Sequence, residues 1–180
     1  MLINDKIEGE RIYLRQVTQA DATPEYVEWL NDSEVVQYLE SRFAKHTLES
    51  IRAYVTKMQS NAKNILFGIF LKENKKHIGN IKIGPINREH KFADVGIMIG
   101  DKSSWGKGYG TEAVKLATRY AFEKLGLHKL MAGCYADNVG SAKIFLKSGY
   151  EQEGLRKEKF YCNGKYVDEL IFGIVNSEIK

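Results

Sequence analysis

The sequence predicts a single α/β domain in which helices cover both faces of a mixed, mostly antiparallel sheet of seven strands. Short segments with apolar residues at every second position mark the strands, and two amphipathic helical segments separate the later ones. The chain has 180 residues, of which 43% are hydrophobic and 28% charged, as is usual for one globular domain. No Pro- or Ser-rich linker divides residues 1–180.

Composition argues against several other classes of protein. No apolar run reaches the roughly 18 residues of a membrane span, and the first residues lack the pattern of a signal peptide. Cys134 and Cys162 form no CxxC motif or disulfide framework, which favours free thiols and a cytoplasmic location. The histidines are scattered, so no metal site is expected. The nearest cluster of Lys and Arg with aromatic residues, at 156–161, is short, interrupted by an acid and better explained as a strand, so we expect neither nucleic acid nor membrane as a partner.

The N-terminal half is predicted to hold one strand, two helices and a meander of three strands. Thr18 and Asp21 are candidate caps for the first helix, and Thr47 begins a capping box for the second. The predicted elements are a strand at 11–17, a helix at about 24–30, a helix after residue 47, and strands at 65–72, 77–86 and 92–100.

The C-terminal half alternates helices with strands. Residues 111–125 have apolar positions at helical spacing, and Gly126 would stop that helix. A strand at 129–135 follows, and Asn138 would cap a helix through 147. Strands at 150–161 and 165–175 form a final hairpin with an Asn-Gly turn. The strand–helix–strand unit implies one parallel crossover in an otherwise antiparallel sheet.

A glycine-rich loop at 102–110 leads from the meander into the long helix. Gly106, Gly108 and Gly110 stand at alternate positions in it. Glycines let backbone N–H groups converge on an anion, and the helix N-terminus behind them adds partial positive charge. A diphosphate suits such a site; a glycine-rich surface turn that leads into a helix is the alternative. The NAD and ATP motifs do not match, because Thr111 replaces the third glycine of GxGxxG and no Gly-Lys-Ser/Thr follows.

Two segments resemble the GNAT acetyltransferase superfamily. Residues 105–113 read Trp-Gly-Lys-Gly-Tyr-Gly-Thr-Glu-Ala and are similar to its phosphate-binding loop, with Trp105 where Gln or Arg is usual. Residues 138–150 are similar to its second cofactor-side helix, entered by Asn138 and closed by Gly-Tyr. The pattern looks most like the branch of ribosomal-protein N-terminal acetyltransferases, and the resemblance extends over nearly the whole chain.

The resemblance implies an N-acetyltransferase that moves acetyl from acetyl-CoA to a primary amine by direct attack in a ternary complex. It also implies the GNAT fold, whose sheet splays between the fourth and fifth strands, here about 95–100 and 130–135. The pantetheine arm would lie in that cleft. The residues expected to bind acetyl-CoA are Ile97, Met98, Ile99, Trp105, Gly106, Lys107, Gly108, Tyr109, Gly110, Thr111 and Asn138.

Two residues are candidates for proton transfer. An amine with a pKa near 10.4 is almost fully charged at pH 7, so a base helps. Asp94 stands beside the cleft where family members often carry Glu, and would act through water; a plain surface carboxylate is the alternative. Ser141 is the donor to the leaving thiolate that the ribosomal branch suggests; the alternative is a serine bonded to its own helix end. Many members place a Tyr where this chain has Phe145, which cannot donate a proton.

The acceptor is left open. A protein N-terminus, a polyamine and a nucleotide-linked amino sugar all suit the chemistry, and a homodimer stays open too. A non-catalytic acetyl-CoA-binding module is the alternative from another class, supported by Phe145. The resemblance places the acceptor walls in the N-terminal helical region and the final hairpin, where the candidates are Trp29, Glu40, Arg42, Phe43, Tyr161, Tyr166, Asp168 and Glu169.

Overall fold

A computed structural model describes residues 6–177. In this part of the chain, eight strands form one sheet in the order β1-β2-β3-β4-β5-β6-β8-β7. Only β5 and β6 run parallel, which confirms the predicted mixed sheet. The strands are β1 (Ile7–Glu8), β2 (Ile12–Gln16), β3 (Ile65–Leu71), β4 (His77–Ile83), β5 (Phe92–Ile99), β6 (Lys129–Tyr135), β7 (Glu151–Cys162) and β8 (Lys165–Val175). The count exceeds the predicted seven because β1, with two residues, is too short to show a periodicity.

Five α-helices accompany the sheet among the described residues: α1 (Pro24–Asn31), α2 (Ser33–Val36), α3 (Leu48–Ser60), α4 (Tyr109–Glu123) and α5 (Val139–Lys147). The side chains of Thr47 and Asn138 cap α3 and α5 as predicted. The cap of α1 is Thr23, because Thr18 and Asp21 instead close a short 3₁₀ turn before it. The four-residue α2 was not predicted.

Helix α4 starts earlier than predicted, so the loop before it is shorter than the predicted 102–110. The helix begins at Tyr109, two residues earlier than expected, because Gly108 turns the chain sharply in a left-handed conformation with φ of 84°. Residues 102–104 form a 3₁₀ turn rather than open loop. The helix also ends early, at Glu123, and the left-handed Gly126 follows it. The loop that leads into α4 is therefore short and tightly wound.

The helices are divided between the two faces of the sheet. Alternate side chains of β3 show the division, since Leu66 packs with α1 and α3 while Phe67 packs with α4 and α5. The main core on the α4 and α5 side includes Ile81, Val95, Ala117, Leu130 and Phe145. The second core includes Tyr26, Trp29, Ile51 and Val55. No helix in residues 6–177 is long and apolar enough to cross a membrane.

The sheet splits between β5 and β6. Their parallel pairing covers three residue pairs and stops at Asp94 with Met131. Beyond that point β5 continues to pair with β4 as far as Ile99, while β6 pairs with β8 as far as Tyr135. The predicted splay is thereby confirmed. It leaves one backbone edge of β5 without a partner strand in the part of the chain that the structure describes.

Residues 37–46, which we call the strap, join α2 to α3 and bridge the split. Arg42 donates to the Tyr135 hydroxyl oxygen at 2.9 Å and to the Tyr161 carbonyl at 3.1 Å. The Tyr135 hydroxyl in turn donates to the Glu40 carboxylate at 2.9 Å. These bonds fasten the N-terminal helical region to the half of the sheet that contains β6 and β8.

Candidate active site

A cavity of about 440 Å³, here called the first cavity, opens at the split. Strand β5, the loop before α4 and the first turns of α5 form its walls, and α2 and the strap close it. Its lining holds every residue predicted for the cofactor except Lys107, together with Ser141. The predicted residues it brings together are Ile97, Met98, Ile99, Trp105, Gly106, Gly108, Tyr109, Gly110, Thr111, Asn138 and Ser141.

The loop presents backbone donors to this cavity. Gly106 and Gly108 have φ of 74° and 84°, a backbone conformation that residues with a side chain rarely adopt. A Cβ on Gly106 would meet no atom within 4 Å, so this glycine faces open space. The first bond within α4 runs from Glu112 N to Gly108 O, which leaves the three preceding N–H groups without helical acceptors. Free donors at a helix N-terminus attract anions.

Two further residues fix the walls around the loop. A Cβ on Gly110 would lie 2.7 Å from Ile144 Cδ1, so a larger residue here would require the end of the Ile144 side chain to move. Trp105 donates from its indole Nε1 to the Ile99 carbonyl at 2.8 Å. The tryptophan thereby closes the end of β5 and forms part of the cavity wall.

Lys143 and Lys147 also line the first cavity, and sequence reasoning missed both. They stand four residues apart on the exposed face of α5, so they project from the same side of the helix. That spacing was the available signal. It was not decisive, because lysines on the solvent side of an amphipathic helix are common.

Ser141 is held at the start of α5 beside a buried thiol. Its backbone N–H donates to Asn138 Oδ1 at 3.1 Å, and its side chain favours the thiolate of the neighbouring Cys134, which lowers the pKa of that thiol. Burial outweighs this effect and raises the pKa of the Cys134 thiol to about 11, so the thiol stays protonated near pH 7. Phe145 points into the main core, with its ring 5.2 Å from that of Tyr150.

Asp94 and Lys107 are not gathered with the other predicted residues. Asp94 is exposed and lines neither the first cavity nor the second cavity defined below. It lies on the face of β5 shared with Gly96 and Met98, and burial raises its pKa although the charge of Lys82 opposes the shift. The Lys107 side chain is absent from the lining of the first cavity, and its carbonyl accepts a bond from Arg11.

A second cavity of about 560 Å³ lies on the opposite face of β5, under α1, α3 and the strap. Leu39, Ile97 and Met98 line both cavities, so the two meet at this point of β5. Asn80 and Ser41 line the second cavity with buried polar atoms, Nδ2 and Oγ, that lack a hydrogen-bond partner within the described residues. Its charged lining residues are Glu40, Lys45 and Lys82.

Glu40 alone among the acceptor candidates lines the second cavity. Trp29 is buried in the second core. Tyr161 and Tyr166 pack together on the exposed hairpin with ring centroids 5.2 Å apart. Glu169 is buried and ion-paired with neighbouring cations of β7. No group of three or more His, Cys, Asp or Glu side chains in residues 6–177 is placed to hold a metal ion.

Comparison with known proteins places this geometry in a family. A family model described as an acetyltransferase (GNAT) domain matches residues 11–151. The chain therefore belongs to the GNAT acetyltransferases. This confirms, at the level of the family, the expectation of an acetyl-CoA-dependent N-acetyltransferase.

Individual relatives agree with that assignment. The chain is 30% identical to the uncharacterized N-acetyltransferase YoaA of Bacillus subtilis over 175 residues, which cover 94% of this chain and 96% of that protein. Ribosomal-protein-S5-alanine acetyltransferase from Vibrio fischeri superposes with a TM-score of 0.85 at 24% identity, covering 98% of this chain and all of the other. Spermidine N-acetyltransferase from Vibrio cholerae, solved with CoA and spermine, gives 0.82 at 23%, covering 93% and 96%. Both structures share the fold.

Proposed function

We propose that the protein transfers acetyl from acetyl-CoA to a primary amine, with acetyl-CoA in the first cavity and the amine in the second. One observation carries the proposal: the two cavities lie on opposite faces of β5 and meet at Leu39, Ile97 and Met98. A thioester reaching this point from one side and an amine from the other would be held in reacting distance. Such positioning is the largest demand of direct transfer.

The first cavity has the groups that acetyl-CoA requires. The left-handed glycines and the N-terminus of α4 offer backbone donors for the diphosphate. Lys143 and Lys147 would add positive charge for the phosphates. The unpaired edge of β5 offers backbone groups to the amides of the pantetheine arm. Acetyl-CoA, when bound, supplies the acetyl thioester.

The leaving sulfur of CoA needs a proton, and Ser141 is the proposed donor. As the amine nitrogen bonds to the acetyl carbon, the carbon–sulfur bond breaks; the nitrogen loses a proton and the sulfur gains one. Ser141 would give that proton from Oγ and recover one from water. It lines the first cavity, whereas Phe145 neither lines it nor has a proton to give.

Asp94 is the proposed base, acting through water from the face of β5 that also lines the second cavity at Gly96 and Met98. The burial that raises its pKa makes the carboxylate a stronger base than a fully solvated one. Asp94→Asn should lower kcat and alter the pH–rate profile. An unchanged pH–rate profile would show that Asp94 is not the base and would make Glu40, the carboxylate that lines the second cavity, the next candidate.

The charges of the second cavity favour an acceptor with one amine, such as a protein N-terminus, over a polyamine. Lys45 and Lys82 outnumber Glu40 in the lining, and two cations would repel a ligand that carries several. The V. fischeri and V. cholerae structures show that this fold is used for both kinds of acceptor, so the lining must decide between them.

The experiment is to measure CoA release from acetyl-CoA with three pools of acceptor: peptides with free N-termini, polyamines and nucleotide-linked amino sugars. We expect the peptide pool to give turnover. Turnover with polyamines alone would refute the charge argument. Tight acetyl-CoA binding without release in any pool would favour the second candidate, a non-catalytic acetyl-CoA-binding module, for which Phe145 in the place of the family tyrosine is the supporting observation.

A further inference from the structure

Arg11, the residue before β2, contacts the glycine-rich loop although about 95 residues separate them. It donates from Nη1 to the Lys107 carbonyl at 2.8 Å, and its guanidinium lies 4.9 Å from the centre of the Tyr109 ring. Between these contacts, a Cβ on Gly108 would lie 3.3 Å from Arg11 Nη2, so the guanidinium also leaves little room beside Gly108. The guanidinium thus contacts Lys107 and Tyr109, on either side of Gly108, and is not part of the cavity lining.

Glu112 holds Arg11 in this place. Its carboxylate, in the first turns of α4, accepts bonds from the backbone N–H groups of Arg11 and Ile12 at 2.8 and 3.2 Å and from Arg11 Nε at 3.1 Å. The Glu112 side chain is only 14% exposed. The carboxylate is closely surrounded, since a Cβ on Gly9 would lie 2.6 Å from Glu112 Oε1. The loop and the first turns of α4 are therefore fixed to the start of β2.

Peptide geometry links this contact to anion binding. In a trans peptide the C=O and the following N–H point in opposite directions. Because the Lys107 carbonyl is directed outward to Arg11, the N–H of Gly108 is directed the other way, to the cavity that Gly108 lines. Glycine at 108 has many conformations available, so without a restraint this peptide could rotate and withdraw the donor.

We propose that Arg11 is a positioning residue for the cofactor loop: held by Glu112, it fixes the Lys107–Gly108 peptide so that its N–H faces the diphosphate. The proposal rests on the proposed binding of acetyl-CoA in the first cavity. Preorganised donors need no ordering when the ligand arrives. Arg11 should consequently affect affinity for the diphosphate part of the cofactor and leave the chemistry at the thioester unchanged.

The test compares Arg11→Met with the control Arg119→Met, measuring the Kd of CoA by calorimetry. Arg119 also joins α4 to the first strands, through a bond to the Glu8 carbonyl at 3.2 Å, but it does not touch the loop. We expect Arg11→Met to raise the Kd of CoA about tenfold, since one restrained charge-assisted bond is lost. Arg119→Met should leave it unchanged. Equal Kd values in both variants would overturn the proposal.

A second donor separates positioning from general damage. S-acetylpantetheine lacks the nucleotide diphosphate, so its KM should be the same in Arg11→Met and wild type, while the KM of acetyl-CoA rises. Equal loss with both donors would mean that the site as a whole is disturbed and would overturn the proposal. If wild-type protein bound no CoA, the proposed function itself would fail, which is a distinguishable result.

Arg11→Lys and Glu112→Gln keep the test decisive if Arg11→Met folds poorly. Lysine keeps the positive charge but cannot bond both Lys107 and Glu112 as the planar guanidinium does, so we expect it to bind CoA as weakly as the Met variant. Glu112→Gln removes the charge that holds Arg11 and should weaken CoA binding in the same direction. Full affinity in the Lys variant would show that charge alone matters, against the positioning role.

Discussion

At the scale of single residues, the site depends on backbone conformations and hydroxyl groups more than on charged side chains. Gly106 and Gly108 shape the donor loop, Gly110 leaves room for the end of the Ile144 side chain, and Ser141 lies next to a protonated thiol. Their substitution should therefore change one property of the enzyme at a time, which makes matched variants informative.

Gly108→Ala should weaken acetyl-CoA binding, and Gly126→Ala should not. Both glycines are left-handed, with φ of 84° and 63°, so alanine costs each about 1–2 kcal/mol of backbone strain. Gly126 has open space around it and lies outside both cavities. Thermal unfolding should report similar losses of stability, while calorimetry with CoA separates the two. Equal CoA affinity in both would remove Gly108 from the site.

Ser141→Ala should lower kcat about a hundredfold with little change in the Kd of CoA, because a general acid contributes about that much. Ser148→Ala is the control. Ser148 follows the last residue of α5, its hydroxyl donates back to the Ile144 carbonyl at 2.8 Å, and it does not line the first cavity. Steady-state rates of CoA release measure both. Unchanged kcat in Ser141→Ala would direct attention to Tyr38, which lines the same cavity.

At the scale of elements, the strap and the split sheet form one arrangement. Without β6 beside it, the later part of β5 has a free edge, and the strap covers the opening from the N-terminal side. Leu39 lines both cavities because it belongs to this covering segment. The wall that the strap gives to the second cavity therefore depends on the bonds that fasten the strap to Tyr135.

Tyr135→Phe should raise the KM of the acceptor and leave the Kd of CoA unchanged. The substitution removes the hydroxyl that bonds both Arg42 and Glu40 and so loosens the strap over the second cavity. Tyr150→Phe is the control, since it too removes a tyrosine hydroxyl from a buried residue, here with a single bond to Thr118 at 2.9 Å in the main core. Each should cost about 1 kcal/mol of stability. Identical acceptor KM values would show that the strap does not shape that cavity.

At the scale of the whole molecule, the pH dependence of stability follows from carboxylates whose hydrogen bonds and ion pairs in the folded protein favour the charged form more than water does. Burial alone would raise the pKa of Asp21, but bonds from Arg15 at 2.6 and 2.7 Å and from Thr18 lower it below its usual value. The pKa of Glu112 is lowered too: its burial is outweighed by the N–H groups of Arg11 and Ile12.

These shifts predict loss of stability in acid. A carboxyl with a lowered folded pKa stabilises the protein above its unfolded pKa, near 4, and this contribution disappears as the pH falls through the folded pKa. Asp21→Asn should reduce the free energy of unfolding by about 2 kcal/mol at pH 7, and the difference from wild type should shrink below pH 4. Denaturant titrations at several pH values check this. Glu25→Gln, at a half-exposed position, should change little at any pH.

Local signals predicted most of the fold. The hairpin of β7 and β8 followed from its Asn-Gly turn, α5 from Asn138, and the parallel crossover from a helix between two strands. The features of the fold that local signals failed to predict are either very short or depend on contacts and conformations that the hydrophobic pattern does not show. Two-residue β1 and four-residue α2 have too few positions for a periodicity, and Gly108 moved the start of α4 by two residues.

The candidate site divides in the same way. The residues predicted in and after the glycine-rich loop, 105–111, lie in one stretch of chain, so they were predicted together, and all of them except Lys107 line the first cavity. The second cavity joins α1, α3, β4 and the strap, which only the tertiary structure brings together; Asn80, Ser41 and Lys82 carried no local signal. The contact of Arg11 with Lys107 spans 96 positions and could not be read from either segment.

The meeting of two cavities on opposite faces of β5 has a consequence for the kinetics of turnover. With acetyl-CoA in the first cavity and the amine in the second, as we propose, each substrate would bind from its own face of β5 and neither would need to wait for the other. CoA should compete with acetyl-CoA for the first cavity and not with the amine. A conjugate in which CoA is joined to the acceptor through the acetyl carbon would occupy both cavities at once and act as an inhibitor tighter than either part.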